Sequence, residues 1–265
     1  MNISFIGFGN MAKAIAQNLT DQRNYHIKAA APSLSEGRSS EGIITTSDNL
    51  QAIVDAELII LAVKPARMAA VLSQIKDKIP EDCLLVSVAA GLSLAWFEQR
   101  CRQGQALIRS MPNITVTINK GATPLIANNS VTNEQKRKAA ELFQQMGIVS
   151  WTRNENDLDA FTALSGSGPA YVFLFLEALI DASRKMGLDE EIAKAFALQT
   201  LIGAVEMALH SKLTVEELRK KVTSPAGTTA AALAVFEELK FKELIFKAMT
   251  AAEARAKELS LDVDS

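Results

Sequence analysis

The chain has 265 residues, 48% of them hydrophobic and 22% charged, with a formal net charge of −2. That length builds one large domain or two ordinary ones, two being favoured, without disulfides or metals to hold them together, and that charge offers no basic surface to a nucleic acid. Cys83 and Cys101 stand apart without CxxC spacing, and His26 and His210 are the two histidines, so no zinc site is expected and the thiols read as buried.

Apolar runs such as 58–63 (LIILAV) and 170–176 (AYVFLFL) are shorter than the ~20 residues of a membrane span, and the first residues enter a strand without a basic leader. The expectation is a cytoplasmic protein that crosses no membrane. Residues 3–19, ISFIGFGNMAKAIAQNL, read as a strand, a glycine turn and an amphipathic helix. Gly7, Gly9 and Ala12 stand in a G-x-G-x-x-A pattern. Gly7 serves a tight turn, Gly9 lets a pyrophosphate approach the backbone, and Ala12 allows the helix to lie close on the strand. The N–H groups that open this helix would face the phosphates.

Strand-like segments 26–31, 58–63, 84–90 and 105–111 alternate with helical patterns at 47–56, 65–78 and 93–102. Repeated β-α-β units predict a largely parallel sheet with helices on both faces. Pro65 suits the first turn of its helix. Thr132 and Gln135 predict a capping box for a helix near 133–145, and GIVSW at 147–151 closes the sheet. An NAD-specific fold usually places an acid at the end of its second strand. Here that strand ends Ala29-Ala30-Ala31-Pro32-Ser33, and no acid appears before Glu36. This favours NADP, with Ser33, Ser35 and Arg38 either meeting a 2′-phosphate or forming a polar loop.

From about residue 154 no strand pattern appears. Pro169 and Gly187 bracket a helix that is apolar on nearly every face. The part of the chain beyond 154 has too few helices to cover it, so a second chain is expected to do so. A second helix, from about Asp189 to His210, carries Ala193, Ala197, Thr200, Gly203 and Ala204 as a small-residue surface, and Thr214 with Glu217 predicts another capping box. Glu177 and Asp181, one turn apart, read as a solvated edge rather than a catalytic pair.

Residues 222–233, VTSPAGTTAAAL, hold no acid, base or thiol. Pro225 disfavours helix at Ser224 and ends the helix of 215–222. Gly227 is expected to take an unusual backbone conformation, Thr228 to cap, and the chain to restart as helix. Such a helix N-terminus behind very small side chains is a nest for an anion such as a carboxylate. A threonine hydroxyl there can serve a neighbouring polar atom.

MPNIT (111–115), TALSGSGPAY (162–171) and VTSPAGTTAAAL (222–233), together with IGFGNMA (6–12), LAVKP (61–65) and SVAAG (87–91), resemble in order and spacing the signatures of the pyrroline-5-carboxylate reductase family. The resemblance covers essentially the whole chain. It implies an α/β architecture, with a Rossmann-type dinucleotide-binding domain over 1–153 and an all-helical substrate-binding and dimerisation domain over 154–265. It also implies the reduction of Δ1-pyrroline-5-carboxylate to L-proline, the last step of proline synthesis, by NADPH or NADH, of which the missing acid after the second strand favours NADPH. Family members form homodimers that often assemble further, as five dimers, into decamers.

Carried onto this chain, the resemblance gives the coenzyme to Ile6, Gly7, Phe8, Gly9, Asn10, Met11 and Ala12, to the turn at Ser33, to Asn49, to Ala62, Val63, Lys64 and Pro65, and to Ala89, Ala90 and Gly91, and the loop reading above adds Arg38. It gives the substrate to Ser224, Gly227, Thr228 and Asn113. The N–H groups of Gly227 and Thr228 would hold the carboxylate, and the Thr229 hydroxyl would meet the imine nitrogen. Two departures stand out: Ala226 where the family usually has glycine, and Ile114-Thr115 where it usually has Thr-Pro. A β-hydroxyacid dehydrogenase would need a lysine within the long helix, but 170–180 has none and Lys185 lies at its far end. A non-catalytic NADP-binding scaffold would have no need of the anion nest.

Overall fold

The computed structural model describes residues 1–20 and 24–261. They fall into two compact units, Met1–Pro169 with the chain from Ala251 onward, and Ala170–Thr250. The first unit contains β1 (Asn2–Ile6), α1 (Asn10–Thr20), β2 (His26–Ala30), β3 (Gly37–Arg38), β4 (Ile44–Thr46), α2 (Asn49–Ile53) and β5 (Leu58–Leu61). It continues with α3 (Pro65–Ile75), β6 (Leu84–Ser87), α4 (Leu94–Glu98), β7 (Leu107–Ser110), β8 (Gly121–Ala127), α5 (Asn133–Gln144), β9 (Gly147–Trp151) and α6 (Asp157–Phe161).

Among the described residues nine strands form one sheet in the order β3-β4-β2-β1-β5-β6-β7-β8-β9. The stretch from β2 to β7 is parallel throughout, as the repeated β-α-β pattern predicts. Side chains alternate across it: Leu58 and Ile60 join the core under α1 and α5, while Ile59 and Leu61 join the core under α2, α3 and α4. Both faces are therefore covered, and a strand apolar at every position is the consequence.

Three strands depart from the sequence reading. β8 enters antiparallel beside β7, and β9 pairs with it in parallel at the sheet edge. Pro124 lies inside β8, and a proline, which cannot donate to a ladder, argues against a strand when only the sequence is in view. The short β3 and β4 give too few residues for any alternation to show. The predicted caps are present: Pro65 opens α3, and Thr132 with Gln135 completes a capping box.

The second unit is helical, with α7 (Gly168–Lys185), α8 (Glu190–His210), α9 (Val215–Lys221), α10 (Thr228–Glu238) and α11 (Phe241–Leu261), whose last turns return to the first unit. No residue of α7 is buried, and Ala193 and Ala197 are the buried residues of α8. Phe173 is 57% and Phe196 71% exposed. The segments Asp157–Lys185 and Glu190–His210 are each long and apolar enough to cross a membrane by length and composition. This corrects the expectation that the apolar stretches are too short, because an average over a helix tolerates polar residues that interrupt a contiguous run.

Candidate coenzyme and substrate sites

Because β2, β1, β5, β6 and β7 are parallel neighbours, the segments that follow their carboxyl ends emerge along one edge of the sheet. Gly7 N–H donates to Ala30 O at 2.8 Å, Ala62 N–H to Ile6 O at 2.8 Å, and Val88 N–H to Leu61 O at 3.1 Å. The turns at Gly7, Ala62 and Val88 are thus held side by side, where open α/β sheets bind ligands.

Gly7 has φ +86°, and a Cβ there would lie 2.7 Å from Val63 Cγ1. Both conformation and crowding require glycine. A Cβ on Gly9 would meet nothing within 4 Å, so this backbone faces open space as a dinucleotide cradle must. The first helical bond runs from Lys13 N–H to Gly9 O. The N–H groups of Asn10, Met11 and Ala12 precede it and remain without intrahelical partners. Buried Ala12 lets α1 lie against β1. The residues fit a pyrophosphate.

Beyond β2, Ser33, Ser35 and Arg38 are all exposed. The β3–β4 ladder pairs Arg38 with Ile44, and one guanidinium N–H donates to Gly42 O at 3.1 Å. This short ladder, invisible in the sequence, sets the arginine backbone beyond β4, level with Lys28 midway along β2, while leaving most of its donors free. If Arg38 meets the 2′-phosphate, Arg38→Glu is expected to raise the KM for NADPH about tenfold and that for NADH less than about twofold, since the charge reversal would then act on that group alone. Equal losses for both coenzymes in steady-state kinetics would contradict the assignment.

Asn49 opens α2, which Asp48 caps, and its amide donates to Gln74 Oε1 at 2.8 Å. Lys64 is exposed at the N-cap of α3. Ala89, Ala90 and Gly91 follow β6; Ala89 N–H donates to Ser87 Oγ at 3.2 Å, and Gly91 takes φ +79°.

Asn113 is buried, and its side chain is largely committed within the chain. Nδ2 donates to Ser165 O at 2.9 Å, while Oδ1 accepts from Thr115 Oγ1 at 2.8 Å and from Ala122 N at 3.1 Å. It ties the segment after β7 to a π-helical turn, Thr162–Gly166, which contains the Leu-Ser-Gly part of the second signature. One Nδ2 hydrogen is left for a ligand. A small cavity of about 30 Å³ lies here, lined by Ala89, Gly91, Arg109, Met111, Asp159 and Thr162 among others. Burial raises the Asp159 carboxyl above its ordinary range, against the opposing pull of Arg109 and Lys257. Two larger cavities, about 420 and 380 Å³, open beside the amino ends of the strands at Leu58, Leu84 and Leu107. They lie at the wrong edge for this fold's chemistry.

The 222–229 loop differs from expectation in three ways. Gly227 has φ −81° and ψ 170°, and the left-handed residue is Ala226 at φ +56°. Gly227 is needed for space instead, because a Cβ there would come 2.5 Å from Ser224 Oγ. The N-cap is Gly227 rather than Thr228, with no side-chain cap bond. The Gly227 N–H donates to Ser224 O at 3.1 Å and so is not free for a carboxylate. The first helical bond of α10 runs from Ala231 N–H to Gly227 O. Thr228, Thr229 and Ala230 therefore carry the open N–H groups. Thr228 and Ser224 are exposed and Thr229 is half-buried.

A left-handed alanine costs about 1–2 kcal/mol, partly offset by its smaller unfolded-state entropy relative to glycine. Ala226→Gly is accordingly expected to stabilise the protein by about 0.5–1 kcal/mol, read as a higher urea midpoint at fixed protein concentration. A lower midpoint would show that the turn is not strained.

Burial pushes the Cys83 thiol up to about 12 and the Cys101 thiol to about 11. Neither is poised as a nucleophile. Sequence reasoning passed over Arg109 and Glu155, which form an ion pair beside the 89–91 segment. The available signal was an arginine inside the apolar run QALIRSM, since a buried charge demands a partner.

A glycine turn feeding a helix at the carboxyl edge of a parallel sheet, in a chain that also has a helical unit with an open helix N-terminus, defines a dinucleotide-dependent oxidoreductase. More narrowly, the chain belongs to the pyrroline-5-carboxylate reductase family. The family profile for pyrroline-5-carboxylate reductase dimerisation matches residues 155–259, and that for coenzyme F420-dependent NADP oxidoreductase matches residues 2–91. The chain is 39% identical to pyrroline-5-carboxylate reductase of Pseudomonas aeruginosa, over 97% of this chain and 96% of that one. Among solved structures, it resembles a pyrroline-5-carboxylate reductase of Coxiella burnetii with TM-score 0.91 at 40% identity, over 98% of each chain. It also resembles the NADP-bound pyrroline carboxylate reductase of Plasmodium falciparum, with TM-score 0.90 at 31% identity and the same coverage.

Proposed function

We propose that the chain reduces Δ1-pyrroline-5-carboxylate to L-proline as the last step of proline synthesis, with NADPH as the preferred hydride donor. The observation that carries this reading is the α10 N-terminus, where a loop without acid, base or thiol leaves three N–H groups open next to a threonine pair. An imine reductase needs that arrangement. The protonated imine is already electrophilic, so the protein's task is to hold and orient it.

The N–H groups of Thr228, Thr229 and Ala230 take the substrate carboxylate. The Thr229 hydroxyl accepts from the iminium N–H, fixing the ring's orientation, and Ser224 lines the loop. Asn113 positions the segment after β7. The edge formed by Gly7 to Ala12, Ser33 with Arg38, Asn49, Ala62 to Pro65 and Ala89 to Gly91 binds the coenzyme, which when bound supplies the hydride.

Residues 1–153 act as the coenzyme domain and 154–265 as the substrate and dimerisation domain. The exposed apolar surfaces of α7 and α8 are covered by a second copy of the chain rather than by lipid, a reading supported by the dimerisation profile over 155–259. Five such dimers forming a decamer, and a cytoplasmic location, complete the proposal.

NADPH oxidation in the presence of Δ1-pyrroline-5-carboxylate, with no NADP reduction by 3-hydroxyisobutyrate, is the expected result. The reverse pattern would indicate a hydroxyacid dehydrogenase. Binding of NADPH without turnover of either compound would indicate a scaffold.

A further inference from the structure

The coenzyme segment after β6 is anchored at both ends. At its start, Val88 N–H donates to Leu61 O and Ala89 N–H to Ser87 Oγ. At its far end, Ser93 caps α4 through Trp96 N–H at 3.0 Å, and Leu94 N–H donates to Glu155 Oε1 at 2.7 Å. The same carboxylate oxygen accepts from Arg109 Nη1. Arg109 is 8% exposed, and its Nε meets no acceptor among the described residues. Asp159 stands near enough to add attraction, but the hydrogen-bonded anion is Glu155.

Glu155 comes from far along the chain, immediately before α6, yet it reaches the turn that ends the 89–91 segment. Its negative charge also suits the start of a helix. One buried arginine on β7 locks the carboxylate's direction, and the carboxylate in turn holds the Leu94 amide.

We propose that Glu155, oriented by Arg109, is a positioning residue for the coenzyme: by holding Leu94 N–H it sets Ala89, Ala90 and Gly91 at the edge where the dinucleotide lies. The inference rests on the assignment of that segment to the coenzyme. It adds a dependence of coenzyme affinity on a residue that touches no ligand. Because the tether acts on the part of the dinucleotide that NADPH and NADH share, both should depend on it equally, unlike the effect of Arg38.

The test uses two double variants that remove both members of the Arg109–Glu155 ion pair together and so change the surroundings of Asp159 equally. Arg109→Met with Glu155→Gln keeps an acceptor for Leu94 N–H; Arg109→Met with Glu155→Leu removes it. Titration of coenzyme fluorescence should show the leucine pair binding NADPH and NADH more weakly than the glutamine pair, by the same factor of about five- to tenfold, the worth of one net hydrogen bond. The KM for the imine should differ between the pairs by less than about twofold. Equal coenzyme affinity in the two pairs overturns the proposal, and so does a loss confined to NADPH. Should the leucine pair fail to fold, Glu155→Asp, which shortens the reach by one methylene, should raise both coenzyme dissociation constants while leaving the imine KM in place; unchanged constants overturn the proposal. The titration needs no turnover, so failure of the proline reaction in the parent protein would be seen separately.

Discussion

Phe173→Asp should yield aggregated or unfolded protein without reductase activity. Phe173 sits on α7 between Val172 and Leu174, all more than half exposed in the single chain, and none of the helix is buried. An apolar face of this extent is stable in water only when covered, and burying a phenylalanine is worth about 1.5–3 kcal/mol. An aspartate in the covered face would be a buried charge without a partner, costing several kcal/mol on top of the lost contact. Two copies of the change face each other's chain in a symmetric dimer, which doubles the penalty. Light scattering of the parent should give a dimer or a multiple of it, and the variant should show lost helix content by circular dichroism. A stable, active monomer of the parent, or a fully active variant, would contradict the covered face.

Thr229→Ala should lower kcat/KM by roughly ten- to a hundredfold, with NADPH binding little changed. A hydrogen bond to a charged group is worth about 1.5–3 kcal/mol, and the proposed bond is to substrate rather than to coenzyme. Thr229 is preferred to Thr228 because it is half-buried at the second position of α10, whereas Thr228 is exposed at the first. Thr229→Ser keeps the hydroxyl and should retain more activity. A crippled Thr228→Ala beside an unimpaired Thr229→Ala would mean that the hydroxyl is one residue earlier. Full activity in both would reduce the loop to a turn.

The parallel core of the sheet was legible because its strands are short, mostly apolar segments, β5 wholly so, that alternate with helical patterns. β8 was not, since Pro124 and Gly121 spoil its strand signature and its place is set by pairing with β7 on one side and β9 on the other. In the loop before α10, the composition pointed to an open helix N-terminus, but the sequence does not reveal which residue bears the positive φ. Glycine was the natural choice, yet Gly227 is demanded by the Ser224 hydroxyl and Ala226 makes the turn. The open N–H groups consequently begin one residue later than composition suggests. The Arg109–Glu155 pair lay hidden for a different reason: its members are 46 residues apart and meet only through the fold.

In the proposed reaction a hydride passes to the ring carbon of a cyclic imine held by the α10 N-terminus. Reduction of Δ1-pyrroline-5-carboxylate with NADPH deuterated at the transferring position of its nicotinamide tests it most directly, with the proline read by NMR. One deuterium per proline is expected, on the ring carbon that was double-bonded to nitrogen and not on the carbon that bears the carboxylate. Proline carrying no deuterium from the transferred position, or NADPH consumed without proline, would contradict it.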